Sequence, residues 1–253
     1  MGNLTALIFD VDGTLAETEY DHLAAFNAAF ADAGLDWYWS VALYTPLLKV
    51  TGSRERMRHY IEHYQPHFKR HNNLEGLLAQ LQEQKNHYYA ERVRQGVIRL
   101  RPGVARLLRE ARAAGLQLAI ASTASRENIQ VLLGSTLEMG ASDWFALIAA
   151  GEVVTHKKPS PEIYHWLLNQ LALEANECVA FEDSGNGVRA AVAAGVRTVV
   201  TVSELTKHDD FTGAAVVLDS LGEPDRPFQV IRGEVGKTSL VDVAFLRRLQ
   251  RED

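Results

Sequence analysis

Beyond Arg101 the chain alternates short apolar runs with helix-patterned stretches, and this alternation leaves few folds open to it. LQLAIAS, ALIAA, ECVAF and RTVVTV read as strands. Between them, Arg126 to Leu133, Pro161 to Leu171 and Gly187 to Ala194 read as helices, and Pro102 opens a further helix that Gly115 closes. Strands that alternate with helices form a parallel sheet covered on both faces. A first strand, residues 6 to 9, stands far upstream. Residues 17 to 95 between it and the rest carry helical patterning almost throughout and need no strand. The expected architecture is therefore α/β: a Rossmann-like core with a parallel sheet, made of residues 1–16 and 97–253. A helical cap of residues 17–96 is inserted after the first strand, with hinges near Leu15 to Glu19 and Gln95 to Pro102. The tail after Gly222 contains one helical run, VDVAFLRRLQ, that the pattern does not place.

An open parallel sheet binds ligands beyond the carboxyl ends of its strands. The first strand ends in Asp10 and Asp12, the second in Ser122 and Thr123, and the fourth in Glu182 and Asp183. His156, Lys157 and Lys158 follow ALIAA. Four carboxylates brought together repel one another, and Mg²⁺, which prefers oxygen ligands, is the natural counterion. Hydroxyls and ammonium groups beside them suit a phosphoryl group. Asp10 is placed to attack phosphorus as a nucleophile, and Asp12 to protonate the leaving oxygen and later deprotonate water. Gly13 permits the tight turn between them and the cap, and Ser122 can hold a phosphoryl oxygen.

These motifs, DVDGT, AIAST, KKPSPEIY and FEDSGNG in that order, resemble those of the haloacid dehalogenase superfamily, and the helical insertion resembles the cap of its subfamily I. The resemblance implies a phosphatase that forms an aspartyl-phosphate. It makes Asp10 the nucleophile, Asp12 the acid and base, Ser122 the second-motif hydroxyl and Lys158 the third-motif lysine. Mg²⁺ would be held by Asp10, the main-chain carbonyl of Asp12 and Asp183, with Glu182 in or beside the ligand set. Within the superfamily, DVDGTLAETE, AFNAAFADAGLDWYW, TGSRERM, KKPSPEIY and FEDSGNGVRAA resemble sugar-bisphosphate phosphatases of Calvin-cycle maintenance, which implies xylulose-1,5-bisphosphate as substrate. Ser53-Arg54 stands where relatives often carry Gly-Lys. Glu17, Thr18 and His22 match positions that hold sugar hydroxyls or couple cap closure to Asp12, and Thr123 is counted with the substrate contacts.

The segment from Lys49 to His71 holds six Lys and Arg residues against two Glu, a net +4 in a chain of net charge -6. Most of these side chains read as a solvated face, and Arg54 is expected to grip a second phosphate. His59, His63, His67 and His71 recur every four residues, but Pro66 breaks the helix and no metal is expected there. Trp37, Tyr38 and Trp39 are expected to pack the cap interior, and Lys157 to lie on the surface. The acidic balance excludes nucleic acid and anionic membrane as partners. With no apolar stretch of membrane-spanning length and no signal-peptide pattern, the protein is expected in the cytoplasm, acting as a monomer on a small phosphorylated sugar. Cys178, the single cysteine, reads as a small buried hydrophobe. Two rival functions remain: a mutase of the β-phosphoglucomutase kind, which returns the phosphoryl group to sugar, and a non-catalytic binding module. The second is disfavoured because no essential residue is missing.

Overall fold

In the computed structural model, which describes residues 3–68, 73–138 and 140–251, seven strands form one sheet in the order β3-β2-β1-β4-β5-β6-β7. They are β1 (Ala6–Phe9), β2 (Gln117–Ala121), β3 (Phe145–Ala149), β4 (Cys178–Glu182), β5 (Arg197–Thr201), β6 (Val216–Leu218) and β7 (Val230–Arg232). All neighbours pair in parallel except β7, which runs antiparallel to β6. The period-two alternation sorts the sheet's side chains by size. Leu7, Phe9, Leu118, Ile120, Val179 and Phe181 face one side, and Ala6, Ala119, Ala121, Cys178 and Ala180, with Ile8 the one large residue among them, face the other. The bulky face is covered by α5 (Val104–Ala113), α6 (Arg126–Thr136) and α9 (Val243–Leu249). The small face receives α7 (Glu162–Leu171) and α8 (Gly185–Ala193), where Ala190 and Ala191 pack against alanines. Phe9 and Phe181, register partners on β1 and β4, stack at 4.5 Å between centroids on the bulky side.

Between β1 and α5 the described residues form four α-helices: α1 (Glu19–Asp32), α2 (Val41–Leu47), α3 (Ser53–Tyr64) and α4 (Leu74–Arg94). They enclose a separate core of Phe26, Phe30, Trp37, Trp39, Tyr44, Met57, Tyr60, Ile61, Leu78 and Leu81. Trp37 and Trp39 are buried there, Trp39 edge-on to Phe30 at 4.9 Å. Tyr38, expected inside with them, is 72% exposed because successive residues of an extended segment point opposite ways. Helix α3 stops at Tyr64, ahead of Pro66. Ala25, Tyr89 and Val93 leave the helical insertion to join the core of the sheet domain, so α1 and α4 are seated on it. The two chain crossings run side by side: Ala16 and Leu100 form an antiparallel bridge, and the Arg101 amide donates to Leu15 O at 2.9 Å.

The tail that the sequence pattern left unplaced supplies β6's neighbour β7 and then α9. Val243, Phe245, Leu246 and Leu249 of α9 enter the bulky-face core beside α5. Cys178 is buried and its thiol is pushed up to about 12 by burial and then by Glu177, so it is inert. No described helix is long and apolar enough to cross a membrane.

Candidate active site

The carboxyl ends of β1, β2 and β4 and the segment after β3 open into a pocket of about 530 Å³, closed on the far side by the helical insertion. Hydrophobic strands carry the polar groups to its floor: Asp10 follows Phe9, and Glu182 and Asp183 follow Phe181. Asp10, Glu182 and Asp183 are all buried, with candidate ligand oxygens within 4.8 Å of one another. Lys158 Nζ, also buried, donates to Asp10 Oδ1 at 2.8 Å, Glu182 Oε1 at 2.5 Å and Ala121 O at 2.8 Å, so all three of its protons are placed. The Tyr164 hydroxyl, from α7, donates to the same Glu182 oxygen.

The electrostatics follow from three buried carboxylates facing one ammonium. Burial is the largest influence on Asp10 and raises it; Lys158 opposes, Glu182, Asp183 and Asp12 add to the rise, and the carboxyl sits well above the usual range. Asp183 is pushed up to about 8, by burial first and by Glu182 and Glu19, against hydrogen bonds from Ser203 and Thr206. Burial disfavours the charged Lys158, but Asp10 and Glu182 outweigh it and hold the ammonium above the ordinary lysine range. Without a cation the cluster therefore retains protons near neutrality. A hard divalent cation is the other way to neutralise it, and two observations show room for one. Glu182 Oε2 has no hydrogen-bond partner among the described residues. Glycines also clear the approach: a Cβ at Gly13 would fall 2.2 Å from Asp183 Oδ2, and one at Gly187 would fall 1.8 Å from Glu182 Oε2. The donors fit Mg²⁺, a cation of all-oxygen coordination.

Asp12 lies apart from the triad. Its Oδ1 accepts from Thr18 Oγ1 at 2.5 Å and His22 Nε2 at 2.9 Å, both from the hinge and start of the helical insertion. Burial raises Asp12, but His22, Thr18 and Lys85 together overcome it and bring it down to about 2. Of the two roles expected for Thr18 and His22, holding sugar hydroxyls or coupling the helical insertion to Asp12, their hydrogen bonds are those of the second. Thr123 lines the pocket, whereas Ser122 lies just beneath it, buried, its Oγ accepting from the Ala124 amide at 3.1 Å. The N-cap of α6 is Ser125, which frees Ser122 from the capping role it could otherwise have had.

Two expected substrate residues are displaced. Glu17 lies outside this pocket, in a second cleft at the hinge, with Oε1 3.3 Å from Arg101 Nε. Glu19, two residues on, is the acid that lines the pocket, and it accepts from the Tyr44 hydroxyl at 2.7 Å. Arg54 does not line the pocket: it is exposed on α3, with Nε donating at 3.1 Å to Oε1 of Gln82, a pocket-lining residue of α4, while the helical turn sends the side chain two places later inward. That side chain is Arg56, which lines the pocket and donates to Tyr44 Oη at 2.9 Å and to the carbonyls of Leu47 and Val50. Lys157, expected on the surface, lines the pocket mouth and pairs with Glu55 of α3 at 2.9 Å. His59 and His63 stack at 4.0 Å without forming a metal group among the described residues. Lys69, Arg70 and His71 lie outside the described residues.

One family model, haloacid dehalogenase-like hydrolase, matches residues 4–195, the span that contains the strand-end aspartate pair, the buried lysine and the acidic pair at the end of β4. The chain belongs to this family. Among curated relatives, the plasmid-borne CbbY protein of Cupriavidus necator is 49% identical over 248 residues, covering 96% of each chain. Among solved structures, a mutant CbbY from Rhodobacter sphaeroides in complex with xylulose-1,5-bisphosphate superposes with a TM-score of 0.79. It is 40% identical, over 86% of this chain and 94% of that one. A β-phosphoglucomutase from Clostridium difficile follows at a TM-score of 0.71 and 25% identity, over 86% of this chain and 91% of its own. This haloacid dehalogenase-like hydrolase is a phosphatase with a Rossmann-like α/β core.

Sequence reasoning passed over Lys85, which α4 carries to the pocket wall. It is 3% exposed, and its ammonium has no hydrogen bond or ion pair among the described residues, only the faces of Phe26 at 5.3 Å and Tyr89 at 5.4 Å. Burial lowers it to about 8, with Arg56 adding to the fall and Asp12 and Glu19 opposing. In EQKNHYYAER it reads as one more charge on a solvated helix, and only the tertiary packing of α1 against α4 turns it inward. Tyr164 was inside a recognised motif, but nothing in a lone tyrosine signals that its hydroxyl reaches Glu182.

Proposed function

We propose that this phosphatase hydrolyses a small sugar bisphosphate, xylulose-1,5-bisphosphate, by way of a phosphoryl group carried on Asp10. The observation that carries the reading is the pairing of two cation sites in one pocket: Lys158 fixed against the nucleophile, and Lys85 on the pocket wall with no hydrogen-bonded or ion-paired anion among the described residues. A buried ammonium is costly without an anionic partner, and a second phosphate on the substrate would supply one. The 49% identity to CbbY and the xylulose-1,5-bisphosphate bound to the Rhodobacter sphaeroides protein support the same reading.

Asp10 Oδ attacks phosphorus as the P–O bond to the sugar breaks, and Lys158 offsets charge on the transferring oxygens. Mg²⁺, held by Asp10, Asp183, the Asp12 carbonyl and Glu182 Oε2, would supply charge neutralisation at the phosphoryl oxygens. The sugar oxygen leaves with a proton from Asp12. Water then attacks the phosphorus of the aspartyl-phosphate, gives its proton to Asp12 and releases Asp10. Asp12 has both states within reach. Gripped by Thr18 and His22 it is a carboxylate, and released from them it is left with the burial that raises its proton affinity, opposed by Lys85 alone.

Phosphate release from xylulose-1,5-bisphosphate and from sugar monophosphates, with Mg²⁺ and with chelator, tests the reading. The bisphosphate is expected to be preferred by tenfold or more in kcat/KM, with activity abolished by chelator and restored by Mg²⁺. Conversion of β-glucose 1-phosphate to an isomer without phosphate release would establish the mutase instead.

A further inference from the structure

The Arg101 guanidinium is buried where the chain returns to the core, and each of its five N–H groups has an oxygen in reach. Nη1 donates to Gly13 O and to Thr201 O, the latter at 2.9 Å. Nη2 donates to Val202 O at 2.6 Å and Asp219 O at 2.9 Å, and Nε faces Glu17 Oε1 at 3.3 Å. Four of these acceptors are main-chain carbonyls from three places: the turn after β1, the end of β5 and the end of β6. The Gly13 carbonyl belongs to the residue directly after Asp12. Val202 leads into the turn in which Ser203 and Thr206 share a hydrogen bond of 2.7 Å, and Thr206 donates to the carbonyl and carboxylate of Asp183 at 2.7 and 3.0 Å. One planar cation thus touches both the turn that carries Asp12 and the segment that braces Asp183.

We propose that Arg101 is a positioning residue for the phosphoryl-transfer site, clamping the Asp12–Gly13 turn to the ends of β5 and β6 so that Asp10, Asp12 and Asp183 keep their spacing. Gly13 is where the clamp acts. Its φ of +79° lies in the left-handed region and the residue has no side chain to pack, so at this position the chain is held by main-chain hydrogen bonds alone, its amide donating to Ala16 O and its carbonyl accepting from Arg101. Lysine could occupy the space, but it offers three protons on a point charge in place of a planar fork of five. Displacement of reacting groups by about 1 Å costs roughly a hundredfold in rate.

Arg106 provides the matched control. Its Nη2 also bridges main-chain carbonyls, those of Leu221, Gly222 and Val241, but it lies away from both clefts. Arg101→Lys, Arg101→Gln and Arg106→Lys are compared with wild type for p-nitrophenyl phosphate hydrolysis and thermal denaturation, rates being corrected for the folded fraction. Arg101→Lys is expected to lose ten- to a hundredfold in kcat with KM within threefold, and Arg101→Gln to lose more. Arg106→Lys is expected to lower Tm while keeping kcat within twofold. The proposal rests on Asp10 and Asp12 as the reacting groups, and an active Asp10→Asn would remove that basis without bearing on the Arg101 to Arg106 contrast. Wild-type kcat in folded Arg101→Lys, or equal kcat losses at Arg101 and Arg106, would overturn the clamp. Failure of both Arg101 variants to fold would assign the residue to stability and overturn it as well.

Discussion

Replacing Lys85 by methionine is expected to make the ligand-free protein more stable and the enzyme worse at its substrate. The ammonium sits at about 8, against 10.5 for an unperturbed lysine, chiefly because burial disfavours its charge. That gap corresponds to about 3 kcal/mol of native-state cost at pH 7. The ring faces of Phe26 and Tyr89 return part of the interaction energy, and methionine, of similar length, forfeits about 0.5 to 2 kcal/mol of it. A net gain of about 1 to 3 kcal/mol in urea denaturation at pH 7 follows. The pH dependence has a definite sign. A lysine with a depressed native pKa binds more protons when unfolded, so its cost is complete below pH 8 and is relieved between pH 8 and 10.5. The stability gap between variant and wild type is therefore widest at pH 7 and closes toward pH 10.5. In catalysis the variant loses a charged contact worth about 1.5 to 3 kcal/mol, hence roughly ten- to a hundredfold in kcat/KM for the bisphosphate. Hydrolysis of p-nitrophenyl phosphate stays within threefold. A Lys85→Met protein that is destabilised, or that retains full preference for the bisphosphate, would refute the reasoning.

Asp183→Asn is expected to stabilise the protein without added metal at pH 8. Its carboxyl is raised to about 8, so the stability linked to its proton is complete below pH 4 and is lost as pH rises to 8; the variant loses that slope and its Mg²⁺-dependent thermal shift together. Thr18→Val removes the 2.5 Å hydrogen bond to Asp12 and should cut kcat roughly ten- to a hundredfold, with the acid limb of the pH–rate profile moving upward. Arg54→Ala should leave kcat/KM for the bisphosphate within twofold, because Arg54 is exposed and does not itself line the pocket, and a tenfold loss would return Arg54 to the site.

What could be read ahead of the structure followed short-range rules. Asp10, Asp12 and Asp183 at strand ends, and Lys158 in the loop after β3, are marked by the apolar runs or turn residues beside them, and parallel topology carries them to one pocket. The insertion between β1 and β2 was legible because helical periodicity persists with no strand pattern. Orientation around a helix was not legible. Which of Arg54 and Arg56 turns inward, and whether Lys85 is solvated or buried, depends on how α3 and α4 dock, a matter of a fraction of a turn. The strands β6 and β7 were missed because three-residue runs such as VVL and VIR carry too few alternations to register as a period. Arg101 was hidden for another reason: its partners are main-chain carbonyls, which leave no trace in side-chain patterns.

The phosphoryl group on Asp10 is open to direct capture. Enzyme mixed with excess xylulose-1,5-bisphosphate and Mg²⁺, quenched in acid within milliseconds and reduced with borotritide, should carry tritium on the peptide containing Asp10, because an acyl-phosphate is reduced where a free carboxylate is not. The label should be absent from Asp10→Asn and from enzyme given chelator before substrate. Rapid phosphate release by wild type with no label on that peptide, or the same label and turnover in Asp10→Asn, would contradict Asp10 as the nucleophile.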